Sequence, residues 1–205
     1  MTLMRSAHLP LVLAALATVV LAAAISFTPF LPGDVAVARA VQSLSPHPEW
    51  WARPISDLAP APGKYVVMAV VVTAAFFIGG WRGLVLLGGF LLLEQYGAEY
   101  TKAWFRRPRP SPNLIAVVGS PTGYTFPSTT MTFLSVTFGS LGLIALVNRK
   151  APNRWPIIIG CFALVAAGGV ARVALGAHWP SDVIATVAIC MLWVWAVARY
   201  VLRAA

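Results

Sequence analysis

The sequence predicts an all-α integral membrane protein, a six-transmembrane helix bundle with its N- and C-termini in the cytoplasm. Three observations lead there. Hydrophobic residues make up 59% of the chain and charged residues 10%, with a mean hydropathy of +0.79. A soluble domain carries about 25% charge, so this chain cannot cover a water-facing surface. Six apolar segments approach or reach the length that crosses a bilayer, about 20 residues each. The charges between those segments divide unequally between two faces. The spans use up the 205 residues, so the chain reads as one domain, 1–205, with no room for a second, soluble one.

The first span runs about 9–30. Arg5 precedes it and Ala22-Ala23-Ala24 lies near its end. That pattern also fits a cleaved signal peptide, whose removal would leave the remaining topology unchanged. Residues 31–63 form an outer loop. Its prolines at 32, 46, 48, 54, 60 and 62 exclude a long helix. Trp50-Trp51 suits a short helix lying in the membrane interface, where indole is favoured. The second span is about 65–80, and Gly80-Trp81-Arg82-Gly83 predicts a tight turn after it.

The third span, about 84–105, changes character after Leu93, where Glu94, Gln95, Tyr96, Glu99, Tyr100 and Lys102 follow. Carboxylates inside a span face a bundle interior or a cavity. Glu99 and Lys102 are three apart and placed to pair on one helix face. A polar loop then leads to spans at about 127–147, 155–175 and 180–202. Cys161 and Cys190 lie within apolar runs without metal-ligand spacing, and read as small core residues.

Six spans put Arg5, Arg82, Arg149, Lys150, Arg154, Arg199 and Arg203 on one face, seven basic residues with no acidic one. The other face and its helix ends take the remaining eight basic and all six acidic residues. The positive-inside rule makes the first face cytoplasmic. The net charge of +9 therefore sits at span ends rather than along a basic stripe, which argues against nucleic acid as a partner. The bilayer itself is the expected partner.

Three polar islands fall together on the opposite, outer side, which in a bacterial cytoplasmic (inner) membrane faces the periplasm. The first is Lys102-x6-Arg109-Pro110. It reads as a snorkelling basic belt or as a pair of cations closing on an anion, since guanidinium matches phosphate oxygens and ammonium adds a point charge. The second is Pro127-Ser128-Thr129-Thr130. It reads as an ordinary helix start or as an anion cradle of free backbone N–H groups. The third is Arg172-x5-His178-x3-Asp182. It reads as a buried polar knot between two helices. Its other reading is a nucleophilic histidine whose imidazole N–H is accepted by Asp182. Trp50, Trp51, Trp104 and Trp179 gather on the same side.

In this order and on six spans, the islands resemble the type 2 phosphatidic acid phosphatase (PAP2) superfamily, which includes membrane lipid phosphatases and polyprenyl diphosphate phosphatases. The motifs cover Lys102–Asp182, and the span layout covers most of the chain. The resemblance implies that His178 is the nucleophile, forming a phosphohistidine, and that Asp182 orients it. It implies that Lys102, Arg109 and Arg172 bind the phosphate oxygens with Ser128 and the backbone at Thr129. It implies no metal and no cofactor.

Two positions depart from the family pattern. Ala171 stands where serine is usual before the arginine. Thr129-Thr130 stands where the second motif has Gly-His, whose histidine protonates the leaving group. A threonine hydroxyl holds its proton too tightly to do that near neutral pH. The remaining histidines are His8, on the cytoplasmic side, and His47, in the outer loop. Glu94 and Glu99, if kept protonated, are comparable donors, with Thr130 as polar support.

General acid catalysis contributes about 10²–10⁴-fold, and it matters least when the leaving group is itself a phosphate. The expected substrate is therefore a lipid diphosphate, a polyprenyl diphosphate above all, with a glycosidic lipid phosphate next. A phosphotransferase of the same family and a non-catalytic lipid-phosphate binder or carrier stay open.

Overall fold

The computed structural model describes the backbone of residues 2–26, 28–151 and 153–203, and their side chains except at 2–8, 93, 96, 98, 99, 200, 202 and 203. Among the described residues there are helices and no strands. They are α1 (Thr2–Ser26), α2 (Asp34–Ser43), α3 (Glu49–Ser56), α4 (Gly63–Phe105), α5 (Thr129–Leu134), a π-helical turn (Ser135–Gly139), α6 (Ser140–Val147), α7 (Arg154–Ala174) and α8 (Pro180–Arg203). Five of these stretches are long and apolar enough to cross a membrane, Gly63–Leu92 counting as one.

α4 is not one straight rod. Gly80 sits at φ 60° and ψ −155°, a left-handed φ that a residue with a Cβ rarely adopts. Lys64 Nζ lies 2.9 Å from Glu94 Oε2 and 2.8 Å from Gln95 Oε1. Thirty residues of straight helix would separate them by about 45 Å. A Cβ on Gly83 would come within 2.6 Å of the Ala75 carbonyl oxygen. Both contacts are symmetric about residue 79. The chain therefore doubles back at Gly80 into two antiparallel arms, 63–79 and 81–105. The turn expected over four residues is made by one glycine.

The other elements follow the pattern with local shifts. The outer loop forms two short helices, α2 and α3, where one interfacial helix was expected. The span expected from residue 127 begins at Thr129, because Ser128 stays extended (φ −73°, ψ 110°) and caps it, accepting from the Met131 N–H. Packing between the helices relies on small residues, which let backbones approach where lipid supplies no hydrophobic drive. A Cβ on Gly168 would meet Leu134 at 2.4 Å, and one on Gly169 would meet Val183 at 2.9 Å. Met131, Phe133, Leu134, Val71, Leu86, Leu87 and Ile144 fill the bundle.

Trp50 and Trp104 are exposed, but Trp179 is buried, 2% exposed, which corrects its placement among the interfacial tryptophans. It stacks on Phe30 with ring centroids 5.2 Å apart and precedes the first turn of α8.

The hairpin sorts the helix ends. Asn148 Nδ2 donates to the Ile78 carbonyl at 2.6 Å and closes one end of the bundle. The starts of α4, α5 and α8 and the ends of α4 and α7 meet at the other end, under the loop 106–128. Gly176, at φ +64°, makes that crossing feasible. A Cβ there would lie 2.0 Å from the Ala116 carbonyl oxygen, and the Val118 N–H donates to the Leu175 carbonyl at 2.9 Å.

Candidate active site

The break between α7 and α8 exists because Gly176 turns the chain and Pro180 opens the next helix, where its missing N–H costs nothing. His178 sits in that break, 1% exposed. Asp182 is in the first turn of α8 and is fully buried. Its Oδ2 accepts the Trp179 N–H at 3.0 Å, so the side chain folds back to cap its own helix, as an acidic third residue commonly does.

That cap has a consequence for the expected His178–Asp182 contact. The Thr125 hydroxyl stands between the two. It donates to Asp182 Oδ2 at 2.7 Å and lies 3.1 Å from His178 Nδ1. The residue spacing predicts a direct pair, and the structure makes it a three-membered chain. The reason is that the Asp182 carboxylate is turned toward the Trp179 N–H.

The other Asp182 oxygen is taken by Arg107. This guanidinium, 1% exposed, reaches Asp182 Oδ1 through Nη1. The same Nη1 donates to Ser181 Oγ at 3.0 Å, Nε donates to the Thr28 carbonyl at 3.3 Å, and Nη2 donates to Asp34 Oδ2 at 3.3 Å. Asp34, at the start of α2, also accepts the Ser181 N–H at 2.8 Å and the Ser181 hydroxyl at 2.6 Å. A bracket of two carboxylates and one guanidinium thus ties the outer loop, the polar loop and α8 together.

The three expected cations lie on the His178 side of this bracket. Arg109 donates through Nε to the Thr122 and Gly123 carbonyls at 2.9 and 3.1 Å, and through Nη1 to the Ala177 carbonyl at 2.7 Å. It is thereby anchored next to His178. Lys102 Nζ donates to Thr129 Oγ1 at 3.3 Å. Arg172 makes no hydrogen bond among the described residues, and its Nε is buried without a protein acceptor.

Burial, and after it the positive charges of Arg172, Arg109 and Lys102, hold the His178 imidazole well below its ordinary value of 6.5. The ring is neutral at neutral pH, the form that carries a nucleophilic lone pair. Burial also lowers Arg109, with the Asp182 charge opposing it.

Other expected residues fare differently. Ser128 is fully buried. Its N–H is taken by Thr186 Oγ1 at 3.2 Å and its hydroxyl by the Met131 cap at 3.4 Å, so it supports the loop. Thr129, beside Lys102, is the better placed of the pair. Thr130 is buried in α5. Glu94 is ion-paired with Lys64 and lines a largely apolar cavity of about 470 Å³, bounded also by Phe105, Phe126 and Trp193. The Glu99 and His8 side chains lie outside the described residues. His47 is exposed on the loop between α2 and α3. Among the described residues no three His, Cys, Asp or Glu side chains gather as a metal site.

Sequence reasoning missed Asp34, Arg107 and Thr125. Arg107 was one of several arginines in a basic run, with no mark of its own. Thr125 sits three residues before Ser128 in a loop rich in glycine and proline.

The chain matches the family model described as "PAP2 superfamily" over residues 83–205, which takes in all three islands. Its fold is similar to the first transmembrane PAP2 type phosphatidylglycerolphosphate phosphatase from Bacillus subtilis. That crystal structure aligns with a TM-score of 0.74 over 94% of this chain and 96% of that one, at 21% identity. A comparison with curated proteins found no match. A family model covering more than half of the chain, and containing Lys102, Arg109, Arg172, His178 and Asp182, identifies this integral membrane protein as a member of the PAP2 superfamily.

Proposed function

We propose that this chain is a lipid phosphatase whose substrate is a polyprenyl diphosphate, cleaved through a phosphohistidine at His178. The observation that carries the reading is Arg172, whose buried Nε has no protein acceptor, beside a neutral imidazole and two further cations. A buried donor without a hydrogen-bond partner is costly, and a phosphoryl oxygen would satisfy it.

In the first step the His178 Nε2 lone pair attacks phosphorus. The N–P bond forms, the bridging P–O bond breaks, and its electron pair leaves on the departing phosphate. Lys102, Arg109 and Arg172 hold the non-bridging oxygens as charge builds on them. Thr129 adds a hydroxyl beside Lys102. In the second step water attacks phosphorus, the N–P electron pair returns to the ring, and one proton is lost to solvent. The residues named supply the charge that a metal would otherwise bring.

With threonine at positions 129 and 130 there is no imidazole to protonate an alkoxide. Such an acid is worth about 10²–10⁴-fold, and a phosphate leaving group does without it. The apolar cavity bounded by Phe105, Phe126, Pro127 and Trp193 supports a substrate that carries a lipid chain. Counting the two arms of α4 as separate crossings gives six spans, with both termini cytoplasmic by the charge asymmetry and the site on the outer face.

Phosphate release by purified protein, compared across a polyprenyl diphosphate, a phosphatidylglycerolphosphate and phosphatidic acid, tests the reading. His178→Ala is the control and loses turnover. A strong preference for phosphatidic acid would sink the choice of substrate.

The threonines also favour a second reading, a non-catalytic binder of lipid phosphates. For a binder, His178→Ala keeps most of the affinity through the three cations. Dependence of phosphate release on a lipid acceptor would mark a phosphotransferase instead.

A further inference from the structure

We propose that Thr125 is a positioning residue for His178, accepting the imidazole Nδ1–H and passing its own proton toward Asp182, so that the carboxylate acts on the ring through the threonine. The inference rests on the reading of His178 as nucleophile and adds the group that sets its tautomer.

The argument is one of donors and acceptors. The Thr125 hydroxyl has one proton and two lone pairs. Asp182, as a carboxylate, can only accept, and its Oδ2 lies 2.7 Å from Thr125 Oγ1. The hydroxyl proton is therefore committed to Asp182. The contact of 3.1 Å to His178 Nδ1 can then be a hydrogen bond only if the ring nitrogen donates. That places the ring proton on Nδ1 and the lone pair on Nε2, the nitrogen free to attack. All three side chains are buried: Thr125 and Asp182 at 0% and His178 at 1% exposure. Water does not compete for these bonds.

The main chain closes the arrangement. The Thr125 N–H donates to the Arg107 carbonyl at 2.9 Å, and the Arg107 guanidinium grips the other oxygen of Asp182. One short segment, 107 to 125, thus holds both the threonine and the carboxylate. When the ring becomes a phosphoimidazolium, its Nδ1–H points along a path that ends on a carboxylate. The charges facing the ring are Lys102 from the second arm of α4, Arg109 from the loop and Arg172 from α7. All three oppose that positive charge, so the relay through Thr125 answers a specific need.

A second group at the same residue offers a competing account. The Thr125 main chain also interacts with the ring and favours its protonation. Thr125→Val removes the hydroxyl and keeps the carbonyl, with nearly the same shape. Thr125→Ser keeps both.

Purified full-length protein is assayed in detergent with a polyprenyl diphosphate and with a phosphatidylglycerolphosphate. Thr125→Val is expected to lower kcat about 10–100-fold, the usual cost of losing a partner that orients a histidine. KM should change little, because Thr125 does not face the phosphate. The acidic limb of its pH profile should move to lower pH, since the path from the ring to the Asp182 carboxylate is gone while the main-chain carbonyl remains. Thr125→Ser restores most of the turnover and the limb.

Nitrogen NMR of histidine-labelled protein reads the tautomer without turnover. The chain has three histidines, and His178→Gln assigns the signal. The wild-type ring is expected as the Nδ1–H tautomer, and Thr125→Val as a mixture. Unchanged tautomer and turnover in Thr125→Val would overturn the proposal and leave the carbonyl as the orienting group. Equal losses in the valine and serine variants with a raised KM would also overturn it, showing packing alone. Turnover surviving in His178→Ala defeats the phosphohistidine reading instead, and the tautomer measurement still decides on Thr125.

Discussion

Arg107 and Arg172 enter the same end of the bundle and are treated oppositely. Arg107, 1% exposed, has two carboxylates, a hydroxyl and a carbonyl around it. Arg172 buries its Nε with no protein acceptor and faces Arg109, a like charge. Asp57 acts on Arg172 through its charge, but no carboxylate reaches it within hydrogen-bond distance among the described residues. A guanidinium whose donors are all used holds structure. One whose Nε has no protein acceptor, next to a neutral imidazole, fits an anion that arrives later. The distinction separates a bracket (Asp34, Arg107, Asp182) from a cradle (Lys102, Arg109, Arg172).

The comparison breaks most easily at Arg107. Removing one partner of a buried ion pair costs about 3–5 kcal/mol, because the remaining charges are left uncompensated. Arg107→Ala should therefore lower thermal stability in detergent by that order, and Asp34 and Asp182 would face each other unneutralised. Lysine should rescue little, since an ammonium cannot reproduce the fork that spans two carboxylates. A variant that kept its Tm and lost only phosphate affinity would move Arg107 into the cradle.

Arg172→Ala should do the reverse. It removes a cation that Arg109 opposes and that Asp57 favours through its charge alone, so the apo protein should lose far less Tm than Arg107→Ala does. Turnover should fall about 10²–10³-fold, the typical cost of one donor to a developing oxyanion, read as kcat/KM. A Tm loss as large as that of Arg107→Ala would erase the distinction.

The difference between the two arginines also marks where the sequence was legible. The fold class followed from composition and apolar run length, which depend on local residues alone. The cations were legible because the spacings Lys102-x6-Arg109-Pro110 and Arg172-x5-His178 carry a family signature, and Arg172 and His178 also stand alone in apolar surroundings. The bracket was not. Asp34 lies 73 residues from Arg107 and 147 from Ser181, and nothing local tells which arginine of a basic run will turn inward. Thr125 was invisible for a similar reason. The three-residue gap from His178 to Asp182 suggested a direct contact, and only the cap on the Trp179 N–H shows why the carboxylate turns elsewhere. The hairpin at Gly80 was half legible: the glycines predicted a turn, and the contact between Lys64 and Glu94 was needed to show its sharpness.

An anion sharpens the comparison next. A ligand that binds only the folded state stabilises it by RT ln(1 + [L]/Kd), about 2.7 kcal/mol at a hundred times Kd. Orthophosphate or vanadate should raise the Tm of the wild-type protein by this relation. The increase should vanish in Arg172→Ala. It should persist in Asp34→Asn, whose baseline Tm is lower but whose cradle is intact. An increase that survives in Arg172→Ala would place the anion somewhere else.

The smallest effect comes from His178 itself, and its sign is fixed. Burial and the three cations hold the ring well below 6.5 in the folded state, while the unfolded chain takes up a proton near 6.5. Between 6.5 and that lower value the unfolded state binds more protons, so stability falls as pH falls. Above about 6.5 the contribution is constant. The slope from one such group cannot exceed about 1.4 kcal/mol per pH unit. Carboxylates add their own slopes, so the informative quantity is the difference between wild type and His178→Gln across pH 5 to 7. The variant should be flatter. Saturating orthophosphate should shrink the difference, because a bound anion raises the ring's proton affinity. Arg172→Ala should shrink it as well, by removing the largest of the opposing charges. A His178→Gln slope equal to that of the wild type would mean that the folded ring takes up its proton at the same pH as the unfolded chain, and that burial and the three cations do not hold it down.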